Sequence, residues 1–157
     1  MITEQIDLTR RMDERFKAET TWSVAMSYDE PVWYRRLLSA LVLVVGDSEI
    51  RYFSSTYAVT KGEDTSLVDV VVLTDEIIAY AAFSSDPQAP ELQLNVVALA
   101  RRSLTGFGVA VSDDEDLTIS VSYPGFDKTL PLGSSDWPHR ETETFNLIEC
   151  LRQDLVS

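Results

Sequence analysis

The chain has one histidine, His139, and one cysteine, Cys150. A zinc centre of the usual nitrogen and sulfur composition takes about four such ligands, so counting excludes that chemistry within one chain. A Ser–His–Asp relay would also need His139. That residue sits in Trp137-Pro138-His139-Arg140, and no Gly-x-Ser-x-Gly accompanies it, so it reads as an exposed residue at a helix start. Cys150 follows Glu149. A neighbouring carboxylate does not lower a thiol pKa, so the cysteine reads as packing. No catalytic residue, metal ligand or cofactor site is expected.

Two further patterns invite chemistry and do not carry it. Asp113-Asp114-Glu115-Asp116 would attract Ca²⁺ by charge. It lacks the alternating ligands and following glycine of an EF-hand loop, and it reads as a solvated hairpin turn. Gly106-Phe107-Gly108 has no third glycine and is no phosphate loop. In a strand such glycines mark a bulge or a close approach. Carboxylates are abundant, but no spacing singles out a general acid and base.

Recognition chemistry is better represented. Basic doublets occur at Arg10-Arg11, Arg35-Arg36 and Arg101-Arg102, and aromatic residues adjoin one of them in Trp33-Tyr34-Arg35-Arg36. Trp, Tyr and Arg are the types enriched in binding hot spots. Trp33, Tyr34, Arg35, Arg36 and, more weakly, Trp137 are therefore the candidate protein-interaction residues. The competing reading is a half-buried aromatic pair with arginines snorkelling to solvent.

The charge narrows the partners. Thirteen basic against 26 acidic residues leave a net −13, which repels nucleic-acid phosphates and anionic lipid headgroups. The plain reading of the charge is solubility; the sharper one is a basic partner or DNA mimicry, and a protein partner is expected, with a basic one among the options. The most apolar window, residues 37–45, is too short to span a membrane, which takes about 20 residues. The N-terminus lacks the basic and apolar regions of a signal peptide. A cytoplasmic location is expected, with homo-oligomerisation open.

At 157 residues the chain is one domain's length. A helix is predicted over residues 3–19, where Leu8, Met12 and Phe16 recur at helical spacing. Period-two alternation predicts a strand over residues 22–28. Residues 32–40 are ambiguous, with Pro31 favouring a short helix, and residues 41–45 read as a buried strand. Residues 50–59 are rich in aromatic and β-branched types, as strands are. Residues 67–73 and 76–83 form the clearest hairpin, turning at Thr74-Asp75. Residues 92–99 read as a strand, with a helix over residues 91–104 as the alternative. A second hairpin joins residues 105–111 to 117–123. Tyr123-Pro124-Gly125-Phe126 is a tight turn, and residues 128–132 are a last edge strand ending near Pro131. The closing helix starts at Asp136 or at Thr142, with Phe145, Ile148, Leu151 and Leu155 as its apolar stripe and Leu147 beside it.

The expected architecture is α+β, a single domain over residues 1–157. A helical extension (residues 1–20) precedes a curled antiparallel sheet or partly open barrel of seven or eight strands (residues 21–133), and a capping helix (residues 136–156) closes it. The hairpin Val70-Val71-Val72-Leu73-Thr74-Asp75-Glu76-Ile77-Ile78 resembles that of bacterial pleckstrin-homology-like domains. The following short strands and closing helix fit the same layout, from residue 50 to the end. Glu76 stands where that family often has a basic residue, the N-terminal helix is extra, and the basic cluster that phosphoinositide-binding relatives use is missing. The resemblance implies a scaffolding or binding role without a lipid ligand. The expected function is a non-enzymatic protein-binding or regulatory module. The alternatives are an acidic chaperone or immunity-type inhibitor of a basic client, and a carrier or enzyme enclosing an apolar small-molecule pocket.

Overall fold

The computed structural model describes residues 2–18, 33–60, 65–85, 94–111, 117–130, 132 and 140–156. Helix α1 (Ile2–Ala18) is the helix expected from the first stripe: Met12 and Phe16 are buried and Leu8 packs against the same core. Helix α2 follows at Tyr34–Val45. Four strands, β1 (Ile50–Thr60), β2 (Thr65–Thr74), β3 (Ile77–Ser85) and β4 (Asn95–Ala100), pair antiparallel in chain order. A 3-10 turn, Arg101–Ser103, leads out of β4. Then β5 (Gly106–Val111), β6 (Leu117–Tyr123) and β7 (Phe126–Leu130) form a separate antiparallel sheet, and helix α3 (Arg140–Val156) closes the chain.

Strand parity explains the layering. Successive residues of a strand point to opposite faces. Val68, Val70 and Val72 of β2 pack with Phe53, Ala79, Ala81 and Phe83 beneath α1 and α2. Val71 and Leu73 of the same strand, with Tyr52 and Ile78, face Ile119, Val121, Tyr123, Leu130 and α3 residues Leu147 and Leu151. The first sheet is thus covered on both faces, by two helices on one and by the second sheet with α3 on the other. Ala79 and Ala81, both fully buried, keep the helix-facing side of β3 low, so α2 can lie close to it.

Several sequence expectations need correction. Residues 41–45 are not a strand but the second half of α2. The β-branched run suggests extension, yet Leu37, Leu38, Leu41, Val42 and Val45 repeat at helical spacing and are the residues buried, while Arg35, Arg36, Ser39 and Leu43 are exposed. Packing of that face overrides the weak local preference. Gly46 ends the helix at φ 65°, its N–H donating to Val42 O at 2.8 Å. The segment 21–133 assigned to sheet therefore contains a helix, and β1 begins at Ile50. Nor is there a barrel. No ladder joins β4 to β5 among the described residues, because the Arg101–Ser103 turn carries the chain from one layer to the other.

The hairpin turn falls at Asp75-Glu76, one residue later than expected. Thr74 stays in β2, and its hydroxyl accepts from the N–H groups of Glu76 and Ile77. Residues 94–104 are strand and 3-10 turn rather than helix. The last strand is Phe126–Leu130 instead of 128–132, entered through Pro124-Gly125 with Gly125 at φ 74°, the pattern of a type II turn. On α3 the buried stripe is Thr144, Leu147 and Leu151, whereas Phe145 is 69% and Leu155 48% exposed. The expected strand at 22–28 and the Asp136 start of the last helix lie outside the described residues. No helix among the described residues is long and apolar enough to cross a membrane.

The helical register of 41–45 has a measurable consequence. Leu41→Ala is expected to destabilise the fold by about 2–5 kcal/mol in urea titrations. Leu43→Ala, at a site 77% exposed, should change stability by no more than about 0.5 kcal/mol. Equal losses at the two positions, as in a strand placing both on one face, would refute the assignment.

Candidate functional site

Of the expected interaction residues, the two described aromatics point into the core rather than to solvent. Trp33 and Tyr34 are buried, at 7% and 0% exposure. Trp33 stacks on Tyr57 with ring centroids 5.3 Å apart and meets Phe83 edge-on at 4.7 Å. The Tyr34 hydroxyl donates to Asp13 on α1. Burial raises the Asp13 carboxyl, but that hydrogen bond and the Lys17 ammonium outweigh it and hold its pKa below the usual value. The pair anchors α2 to α1 and the sheet, while Arg35 and Arg36 remain at the surface. Trp137 lies outside the described residues.

The densest buried polar constellation lies elsewhere, at the crossing between the two sheets. Arg101 is 8% exposed. Its Nε and Nη2 donate to the two carboxylate oxygens of Asp154 on α3, at 2.9 and 3.0 Å. Its Nη1 donates to the Thr74 and Asp75 carbonyls at 2.9 and 3.2 Å, and its backbone N–H donates to Glu76 O at 3.1 Å. One guanidinium thereby ties the β2–β3 turn to the last helix, in the bidentate geometry that favours arginine over lysine. Burial alone would lower the Arg101 pKa, but Asp154 more than compensates and raises it.

The neighbours of this clamp hold their protons. Tyr123 is 3% exposed and its hydroxyl has no hydrogen-bond partner among the described residues; burial and then the Asp154 charge push its pKa up to about 12. Burial also raises the Cys150 thiol above its ordinary value, which disfavours the nucleophilic thiolate. What this arrangement can do chemically is hold elements together. Other charged contacts act likewise. Arg15 on α1 pairs with Glu143 on α3 and lies 5.4 Å over the Phe53 ring. Lys128 of β7 stands 4.5 Å over Tyr80 of β3, whose hydroxyl donates to Asp69.

Two surface features of the described residues bear on binding. A groove of about 340 Å³ runs between α1, the end of α2 and the start of β1. Its apolar floor includes Leu8, Met12, Val42, Val45 and Ile50, and its rim carries both signs of charge, Arg11 and Arg15 against Glu14 and Glu49. The other feature is the β5 edge of the second sheet, an outer strand among the described residues. β5 pairs with β6 alone among the described residues. Phe107, Val109 and Val111 lie opposite Val121, Ile119 and Leu117, on the face turned toward the second core cluster. Yet Val109 is 50% and Val111 67% exposed. The apolar layer is unfinished at this edge.

The four outer strands differ in how they are protected. β1 carries Arg51 and a register shift between Ile50 and Tyr52. β7 carries Asp127 and Lys128 and is followed by Pro131. Such charges, bulges and prolines are the devices that keep sheet edges from pairing. β4 and β5 have no charged residue at all, and β6 has none either. In a chain of net −13 that is an uncharged strip. Residues 105–111 are legible in the sequence as a strand but not as a site. The available signal is the six-residue run Gly106–Val111 without a charge, followed in sequence by the acidic run Asp113-Asp114-Glu115-Asp116. No family model, curated protein or solved structure matches the chain.

The clamp yields two expectations. Arg101→Met, which strands Asp154, should cost about 3–5 kcal/mol in urea unfolding, and the Arg101→Met/Asp154→Leu double variant should recover much of that. Stability should also fall between about pH 10, the ordinary tyrosine value, and about pH 12, the folded value for Tyr123. The folded pKa is raised, so the stabilisation is complete below the unfolded pKa and is lost as pH rises through the folded one. Tyr123→Phe should flatten that part of the stability–pH curve; an unchanged slope would show that other groups cause it.

Proposed function

We propose that this chain is a non-enzymatic protein-binding module that receives an extended segment alongside β5. The observation that carries the reading is the unfinished apolar layer: Val109 and Val111 face the core side of their sheet and stay exposed on an uncharged edge. A strand added there gains main-chain hydrogen bonds from an edge that no described strand occupies and buries side chains at alternate positions, the usual logic of strand addition. The likeness to bacterial pleckstrin-homology-like domains belongs to the same proposal. The seven described strands, run in meander order and closed by α3, support it, and a binding role is what it implies.

A second reading is favoured by the net −13: an acidic chaperone or inhibitor that neutralises a basic client over a broad surface. It differs in being indifferent to Val109.

Selection of a random-peptide library on the intact chain tests the proposal. The expected winners alternate apolar residues with Lys or Arg, and their binding weakens as salt rises. Val109→Lys, at a half-exposed position, should leave the fold intact and weaken those peptides at least about tenfold, or roughly 1.4 kcal/mol. Winners that bind the variant equally well would overturn the β5 reading and favour the broad acidic surface.

A further inference from the structure

We propose that the occupant of the β5 edge is a second copy of this chain, paired antiparallel about Val109. This rests on the reading of β5 as a docking edge and names what docks there. Residues directly opposite in an antiparallel ladder share a face of the sheet. To complete the inward layer, an added strand must therefore place apolar residues opposite Phe107, Val109 and Val111. β5 does this for itself in one register. Val109 faces Val109 of the second copy, Phe107 faces its Val111, and Val111 faces its Phe107. On the outward side Gly108 then meets Ala110, two of the smallest residues, so nothing crowds the ladder. A slip of one residue would set Val109 against glycine or alanine and break the layer in both copies.

The pairing is isologous and closes on itself. The two three-stranded sheets would become one continuous sheet across the two-fold axis. Charge permits it. Two chains of net −13 repel, but neither β5 nor its neighbour β6 carries a charge. Charges farther off are screened beyond about 8 Å at physiological ionic strength. The ends are complementary as well: exposed Arg102 precedes β5, and in sequence the acidic run begins two residues beyond Val111. Antiparallel pairing brings the basic end of each copy toward the acidic end of the other. A strand edge alone falls short of the ~1,200–2,000 Å² of a stable interface, so the pairing is reversible and depends on concentration.

Single-cysteine chains test the register. In a Cys150→Ala background, Val109→Cys places a thiol opposite its own copy. Cα atoms there are about 4.5–5.5 Å apart, within disulfide reach. Val109→Cys is expected to accumulate as a disulfide dimer under mild oxidation. Val111→Cys, and Val97→Cys on the other uncharged edge, should stay monomeric. By sedimentation, the unmodified chain should associate more strongly as salt rises, the opposite of basic-peptide binding, and Val109→Lys should abolish association. A chain that is monomeric throughout, or cross-linking no faster at Val109 than at Val111 or Val97, overturns the second copy as occupant. If selected peptides still require Val109, the docking edge stands with another protein in it; if they do not, both readings fall.

Discussion

β2 must be covered on both faces. Val70, Val71, Val72 and Leu73 are all fully buried, and adjacent strand residues point in opposite directions. An uninterrupted apolar run in a central strand is unstable unless each face finds its own apolar layer. The two layers come from opposite ends of the chain. α1 and α2 precede the sheet and cover the side of Val70 and Val72; β5–β7 and α3 follow it and cover the side of Val71 and Leu73. The order of elements along the chain follows from that one requirement.

A chain that covers the second face of its own sheet must leave the sheet and cross over. The crossing falls at Arg101–Ser103, and it has an electrostatic cost. The carbonyls of Thr74, Asp75 and Glu76 lie beside this crossing. Arg101 supplies donors to those carbonyls and takes its counter-charge from Asp154 on the last helix. A buried pair of this kind adds little stability over apolar residues of the same shape, but it is costly to half-remove. Its contacts join one turn of α3 to one end of the first sheet. Arg15 with Glu143 makes a second such link between the helical layer and α3.

How much of this was legible in the sequence follows from how local each cause is. α1 and the β2–β3, β5–β6 and β6–β7 hairpins depend on periodicity and turn residues within a few positions, and they were readable. The second half of α2 was not. Leu41-Val42-Leu43-Val44-Val45 is β-rich in isolation, and only the burial of Leu37 and Leu38 one turn earlier shows the face that packs. Trp33 and Tyr34 looked like hot-spot residues because residue type suggests recognition as readily as packing, and the choice depends on Tyr57, Phe83 and Asp13, which are distant in sequence. The Arg101–Asp154 pair joins residues 53 positions apart and has no local signature. The division into two sheets was hidden for the same reason: a meander of short strands reads alike whether or not β4 pairs with β5.

The open edge is a consequence of the same crossing. Had β5 continued the ladder from β4, both strands would have been interior, and their uncharged sequences would need no comment. Because Arg101 turns the chain out of the first sheet, β4 and β5 become outer strands while keeping the composition of inner ones. The ends of the two sheets stitched together are the other ones: Leu132, just past β7, donates its N–H to Ser54 of β1 at 2.9 Å, and β1 and β7 carry the charges that protect them. The acidity of the chain has a place in this arrangement. A net −13 disfavours indiscriminate sheet-to-sheet association everywhere except along a strip that bears no charge. An edge left both apolar and neutral within such a surface would, on the proposed reading of β5, restrict pairing to partners that fit it strand by strand.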